Sequence, residues 1–138
     1  MYPKRVYVDR YVPKRFTKEQ AALYERLGNS LRKAYEAEFE GWEVWVEARM
    51  YFGKYIVALL VEHPFCDIDP DGNNLQFRLV VASEEGWNFS GYFFAAHEHT
   101  ELTLAETEEE ILCARTHTRS GKKEELRINK KDFKPFVG

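Results

Sequence analysis

The sequence predicts an α+β fold in which one long N-terminal helix packs on a curved antiparallel sheet of about five to seven strands. Three features predict it. An apolar stripe at helical spacing runs from Thr17 to Phe39, the pattern changes to two-residue alternation after Gly41, and turn-rich breaks divide the rest into short alternating runs. At 138 residues the chain is one domain's worth, read as a single unit over 1–138 with basic segments at 1–18 and 115–138.

Taken in order, Arg5 to Val12 alternates through Val6 and Val8 and is bounded by Pro3 and Pro13, which predicts an edge strand. Thr17 and Gln20 have the spacing of a capping box, so the helix starts there. Leu23, Leu27, Leu31, Ala34 and Tyr35 form its apolar stripe, and Gly41 ends it. Gly28 in its middle costs about 1 kcal/mol relative to Ala. In the next run Trp42, Val44, Val46, Ala48, Met50 and Phe52 face one way, while Glu43, Trp45, Glu47, Arg49 and Tyr51 face the other.

Gly53 and Lys54 then reverse the chain into Tyr55 to His63, which is apolar on both faces. Pro64 to Asn74 is turn-rich and precedes Leu75 to Val81. Gly86 to Asn88 reads as another turn, and Phe89 to Leu104 as one further strand. Thr107 and Glu110 have capping spacing, so residues 106–118 read either as a short helix or as a strand. The alternation from Ile111 to Thr118 and the Ser120-Gly121 turn into Glu125 to Asn129 favour a second hairpin.

These elements do not match in area. A helix about 10 Å wide shields little more than two strands set about 4.8 Å apart, and runs such as Tyr55 to Glu62 and Tyr92 to Ala96 are apolar on both sides. Either the terminal segments cover the sheet's far side, or another molecule does. Helix followed by a curved meander is similar in general architecture to the cystatin-like and nuclear-transport-factor-like folds. That likeness rests on element order and implies no function.

The net charge of −3 conceals an uneven distribution. Residues 1–18 carry six basic side chains against Asp9, and 115–138 carry eight against three acidic ones, a net +5 at each end and −13 between. The basic ends neutralise the acidic body, or they converge into a patch for a polyanion. Lys4, Arg5, Arg10, Lys14, Arg15, Lys122, Lys123, Lys130 and Lys131 are the candidates for nucleic-acid contact. No apolar run is long enough to span a membrane, the first ten residues are not a signal peptide, and Cys66 and Cys113 read as buried reduced thiols. A cytoplasmic protein without membrane contact is the expectation.

Catalytic patterns fail one by one. Asp67, Asp69, Asp71 and Gly72 open like a calcium loop, but Arg78 stands where the loop needs its bidentate Glu. His97 and His99 leave one face of a strand, as metal ligands would. Gly91, His97 and His99 resemble the opening of the cupin metal motif, yet Glu101 is too near and Glu106 too far to complete it. No serine or cysteine has a nucleophile's context, so no catalytic residue, cofactor or metal is assigned. The function predicted is a non-enzymatic protein-interaction module: a small inhibitor or adaptor, of the kind phages and mobile elements carry, or a self-associating dimer. Trp45, Trp87, Tyr51, Tyr92 and Phe94 would be its anchors. Nucleic-acid binding through the basic ends is the alternative, and a metal-dependent enzyme or sensor on His97 and His99 the second.

Overall fold

The computed structural model describes residues 5–35, 42–64, 76–93, 100–118 and 120–137. Among them the chain runs β1 (Arg5–Val8), α1 (Lys18–Tyr35), β2 (Trp42–Phe52), β3 (Tyr55–Pro64), β4 (Gln76–Ser83), β5 (Gly86–Phe89), β6 (Thr100–Glu106), β7 (Glu110–His117) and β8 (Lys123–Asn129), with a 3₁₀ turn at Lys130–Asp132. The architecture is α+β, but its strands divide between two sheets. One holds five strands in the order β1-β2-β3-β4-β5, the other three in the order β6-β7-β8.

The predicted capping box forms. The Gln20 N–H donates to Thr17 Oγ1 at 3.1 Å, and Gln20 Oε1 accepts the Thr17 N–H at 2.8 Å. Leu23, Leu27, Leu31 and Tyr35 are buried as the stripe requires, whereas Ala34 is exposed. The helix joins β1 to β2, which pair in parallel with Val6 opposite Val44 and Val8 opposite Val46. A parallel pair needs a crossover of this kind, because a tight turn reverses the chain.

Gly28 belongs to this crossover. A Cβ placed on it would lie 2.9 Å from Val8 Cγ1, so the missing side chain is what lets α1 lie directly on β1. The residue is a packing requirement rather than a weak point of the helix.

From β2 to β5 the sheet is an antiparallel meander. The register of β2 shifts between Ala48 and Met50. This bulge corrects the simple alternation: Val44, Val46 and Ala48 face the helix, but Met50 and Phe52 turn to the opposite side, and Tyr51 takes their place beside Phe16. Glu84 and Glu85 form the turn before β5, so Gly86 to Asn88 is strand and not the turn expected. The single strand expected from Phe89 to Leu104 is also divided, β5 ending at Phe89 and β6 starting at Thr100. Residues 106–118 contain strand β7, paired with β8 as the hairpin reading required.

Two cores result. Ile56, Ala58, Leu60, Val80 and Ala82 pack under α1. Tyr55, Val57, Leu79 and Val81 pack against Ile111, Cys113, Leu126 and Ile128 of the three-stranded sheet. The far side of the large sheet is thus covered in part by the chain's own C-terminal third. No helix among the described residues is long and apolar enough to cross a membrane.

Gly28→Ala should lower stability by about 1–2 kcal/mol, because overpacking against a stiff valine outweighs the gain in helix propensity. Adding Val8→Ala should remove most of the conflict, so a denaturation double-mutant cycle should give a favourable coupling between the two substitutions.

Candidate functional site

α1, with Val12, Phe16 and Phe136, covers most of the helix side of the large sheet, whereas the small sheet covers only part of the other side. Directly opposed residues share a face. The registers Tyr7 to Trp45, Trp45 to Val61, Val61 to Phe77 and the bridge from Phe77 to Phe93 therefore draw one apolar row across the sheet. Its inner end meets the second core: Phe93 packs there, 5.9 Å from the Phe77 ring, and the Arg115 guanidinium lies 4.8 Å from the Phe93 centroid. Its outer end is open, with Tyr7 42% and Trp45 41% exposed.

The exposed end has an acidic border. The Tyr7 hydroxyl donates to Glu43 Oε1 and the Trp45 indole N–H to Glu47 Oε2, both at 3.4 Å. Glu47 also pairs with Arg49 at 2.5 Å. These contacts set carboxylates beside the two exposed aromatic side chains.

The predicted anchors are distributed differently from the expectation. Trp45 is on the open row. Trp87 is a correction: it is 3% exposed, because its register opposite Ala82 puts it in the core under α1, with the Lys134 ammonium 5.2 Å from its ring centroid. Tyr51 is exposed but lies on the helix side after the bulge. Tyr92 is exposed too, yet its hydroxyl donates to buried Glu62 and its ring stacks on the Arg78 guanidinium 4.0 Å away. Phe94 lies outside the described residues, as do His97, His99, Asp67, Asp69, Asp71 and Cys66. Tyr7, Val61 and Phe77 were missed as members of the site. Their alternation was visible, but the register that aligns them with Trp45 was not.

The basic candidates are divided between two regions. Arg10, Lys14 and Arg15 are exposed in the segment after β1, at one edge of the large sheet. The C-terminal segment runs along β5 at the opposite edge, where the Trp87 N–H donates to the Lys134 carbonyl at 3.0 Å and the Lys134 N–H to the Trp87 carbonyl at 2.7 Å. Lys130 is paired with Glu106, and Lys131 with Glu109 at 3.2 Å. Lys122 and Lys123 are exposed at the β7–β8 hairpin. Lys4 is outside the described residues, and of Arg5 only the backbone is described.

The titratable groups with resolved shifts report burial and pairing. Burial pushes the Cys113 thiol up to about 12, which keeps it protonated and unreactive at neutral pH. Desolvation lowers the pKa of Arg115 and raises that of Tyr24, whose hydroxyl donates to the carbonyl of Asp9 at 2.7 Å. The Tyr55 hydroxyl donates to Glu106 at 3.1 Å and is pushed up to about 12, first by burial and then by that carboxylate. Lys130, bonded to Glu106, holds the carboxyl below its usual value. No group of three or more metal-ligating side chains occurs among the described residues.

Fold and surface together define an α/β/β layered module with an aromatic, acid-bordered strip on one strand pair. No family model, curated protein or solved structure matches the chain.

Two expectations follow from this placement. Trp87→Ala should cost about 3–5 kcal/mol in chemical denaturation, whereas Trp45→Ala should cost less than about 1 kcal/mol, which separates core from surface tryptophan. The Tyr55–Glu106–Lys130 cluster should also make stability depend on pH at both ends. An unfolded Glu106 binds its proton near 4.5 and the folded one at lower pH, so stability falls as pH drops below that value. Tyr55 ionises near 10.0 when unfolded and at about 12 when folded, so stability falls again as pH rises through that interval. Thermal midpoints of Glu106→Gln measured against pH should show a flatter acid limb than those of the parent.

Proposed function

We propose that this protein is a protein-binding module, a small inhibitor or adaptor, which engages a partner through the aromatic strip on β1 and β2. The observation that carries this reading is the open pair Tyr7 and Trp45 on a sheet face whose other end is covered by the chain itself. Large amphipathic rings with two rotatable bonds lose little entropy on docking, and they bury much area for each residue. The carboxylates of Glu43 and Glu47 border that area, so a partner surface with apolar residues and a basic rim complements it.

The test uses purified protein as bait in quantitative affinity capture, in parallel with Trp45→Ala, Tyr7→Ala and a distant surface control, Glu125→Ala. A specific partner should be retained by parent and control and depleted by both aromatic substitutions. Its recombinant form should then bind the parent at least about tenfold more tightly than Trp45→Ala. Light scattering covers the case in which the partner is a second copy: the parent is then a dimer and Trp45→Asp a monomer. Identical capture profiles for all four proteins, with a monomeric parent, would overturn the reading.

A further inference from the structure

The two edges of the large sheet are not equivalent. At the β5 edge the C-terminal segment occupies the backbone positions through the paired bonds between Trp87 and Lys134. At the β1 edge no described strand follows, since β1 pairs only with β2. The Asp9 N–H donates to the Val46 carbonyl at 2.8 Å, which sets the phase of the strand: odd residues direct their backbone groups to β2. Backbone groups alternate in direction along a strand, so the N–H and C=O of Val6 and Val8 point out of the sheet.

Beside this edge lies a pocket of about 460 Å³ between the chain at Val8–Val12 and α1. Its described lining comes from this segment, with Val8, Arg10 and Val12, and from α1, with Tyr24 and Arg32, so it lies along β1 on the helix face. On the other face of the same strand stands exposed Tyr7, with Trp45 next to it. A strand laid along β1 would therefore send alternate side chains into a pocket on one face and onto an aromatic shelf on the other. Backbone pairing that supplies affinity, with pockets for every second side chain that supply selectivity, is the usual form of strand addition.

Charge selects the occupant. Exposed Arg10 and Arg32 line the pocket, and Lys14 and Arg15 are exposed further along the segment that follows β1. Asp9, whose Oδ1 accepts the Tyr11 N–H, and Glu25 offset part of that charge, and residues 1–18 still carry a net +5. A second copy paired antiparallel through β1 would align these like charges and is disfavoured. We propose that the β1 edge is completed by an extended acidic segment of a partner protein, added as a further strand of the large sheet. This rests on the binding-module reading and specifies its partner: the acidic segment lies along the edge, and the basic rim that suits Glu43 and Glu47 belongs to whatever flanks it over Trp45.

The experiment selects a phage-displayed library of random peptides about twelve residues long on the intact protein. Enriched sequences should have net negative charge and apolar residues at alternate positions. The tightest peptide is then synthesised with N-methyl groups on every second backbone amide, in each of the two possible registers. One register should weaken binding at least about tenfold, because it removes the donors facing β1, and the other should leave affinity within about twofold. Arg10→Glu should weaken the same peptide at least about tenfold, with the fold of the variant confirmed by circular dichroism. Equal tolerance of both methylated registers, insensitivity to Arg10→Glu, or no enriched acidic peptide would each overturn the proposal. If binding survives those changes and is still lost in Trp45→Ala, the aromatic strip stands as a docking face and only the added strand is refuted. If Trp45→Ala has no effect either, both readings fail.

Discussion

A ten-residue strand that is greasy on both sides sets the terms for the whole molecule. β3 buries Ile56, Ala58 and Leu60 on one face and Tyr55 and Val57 on the other, and each of these is at most 3% exposed. Full burial of side chains this size is worth roughly 1.5–3 kcal/mol each, so neither face can be left in water without a large fraction of the fold's stability. A single helix covers one face only. The second cover has to come from elsewhere in the chain, and β6–β8 supply it through Ile111, Cys113, Leu126 and Ile128. The bulge in β2 serves the same end, moving Met50 and Phe52 to the side where the second cover lies.

That second cover is narrower than what it covers. Three strands at about 4.8 Å spacing span roughly 14 Å, and five span about 24 Å. The Tyr55 hydroxyl bonded to Glu106 of β6 at 3.1 Å, the Asn88 amide bonded to the Asn129 carbonyl of β8 at 2.9 Å, and the packing of Leu79 and Val81 hold the small sheet over β3, β4 and β5. The uncovered width falls on β1 and the first half of β2, where Tyr7 and Trp45 stand, since Met50 and Phe52 at the far end of β2 pack in the second core. The open aromatic strip is a geometric remainder of the layering, and its position follows from where the small sheet is fastened. The imbalance of area foreseen between helix and sheet is real, but it is displaced to the other face and reduced to two strands.

Much of this was legible along the chain. Local chemistry marked the helix start, since Thr17 and Gln20 need only each other. Alternation marked β7, because a strand buried on one face repeats every two residues, and a short run apolar on both faces marked β3. The rest depends on contacts between distant residues. A bulge shifts phase by one residue without changing composition, so Tyr51 and Met50 exchange faces unannounced. Trp87 and Trp45 are the same residue type in similar company, and it is register that separates them: Trp87 lies opposite Ala82 in the core under α1, Trp45 opposite Val61 on the other face. Gly28 reads as a helix weakness until Val8 is placed against it.

The contact between Gly28 and Val8 also connects the two halves of the candidate site. A four-residue parallel strand at a sheet edge has few bonds of its own, and β1 relies on α1 to press it into place. The same approach sets one wall of the pocket against Tyr24, whose hydroxyl reaches the carbonyls of both Asp9 and Val46 and so ties the helix to β1 and β2 together. Position of the helix, phase of the edge strand and presentation of Tyr7 beside Trp45 are thus one structural variable. A change that lifts α1 from β1 by even a methyl group disturbs the edge, the pocket and the aromatic strip at once, whereas a change on the solvent face of the small sheet reaches none of them.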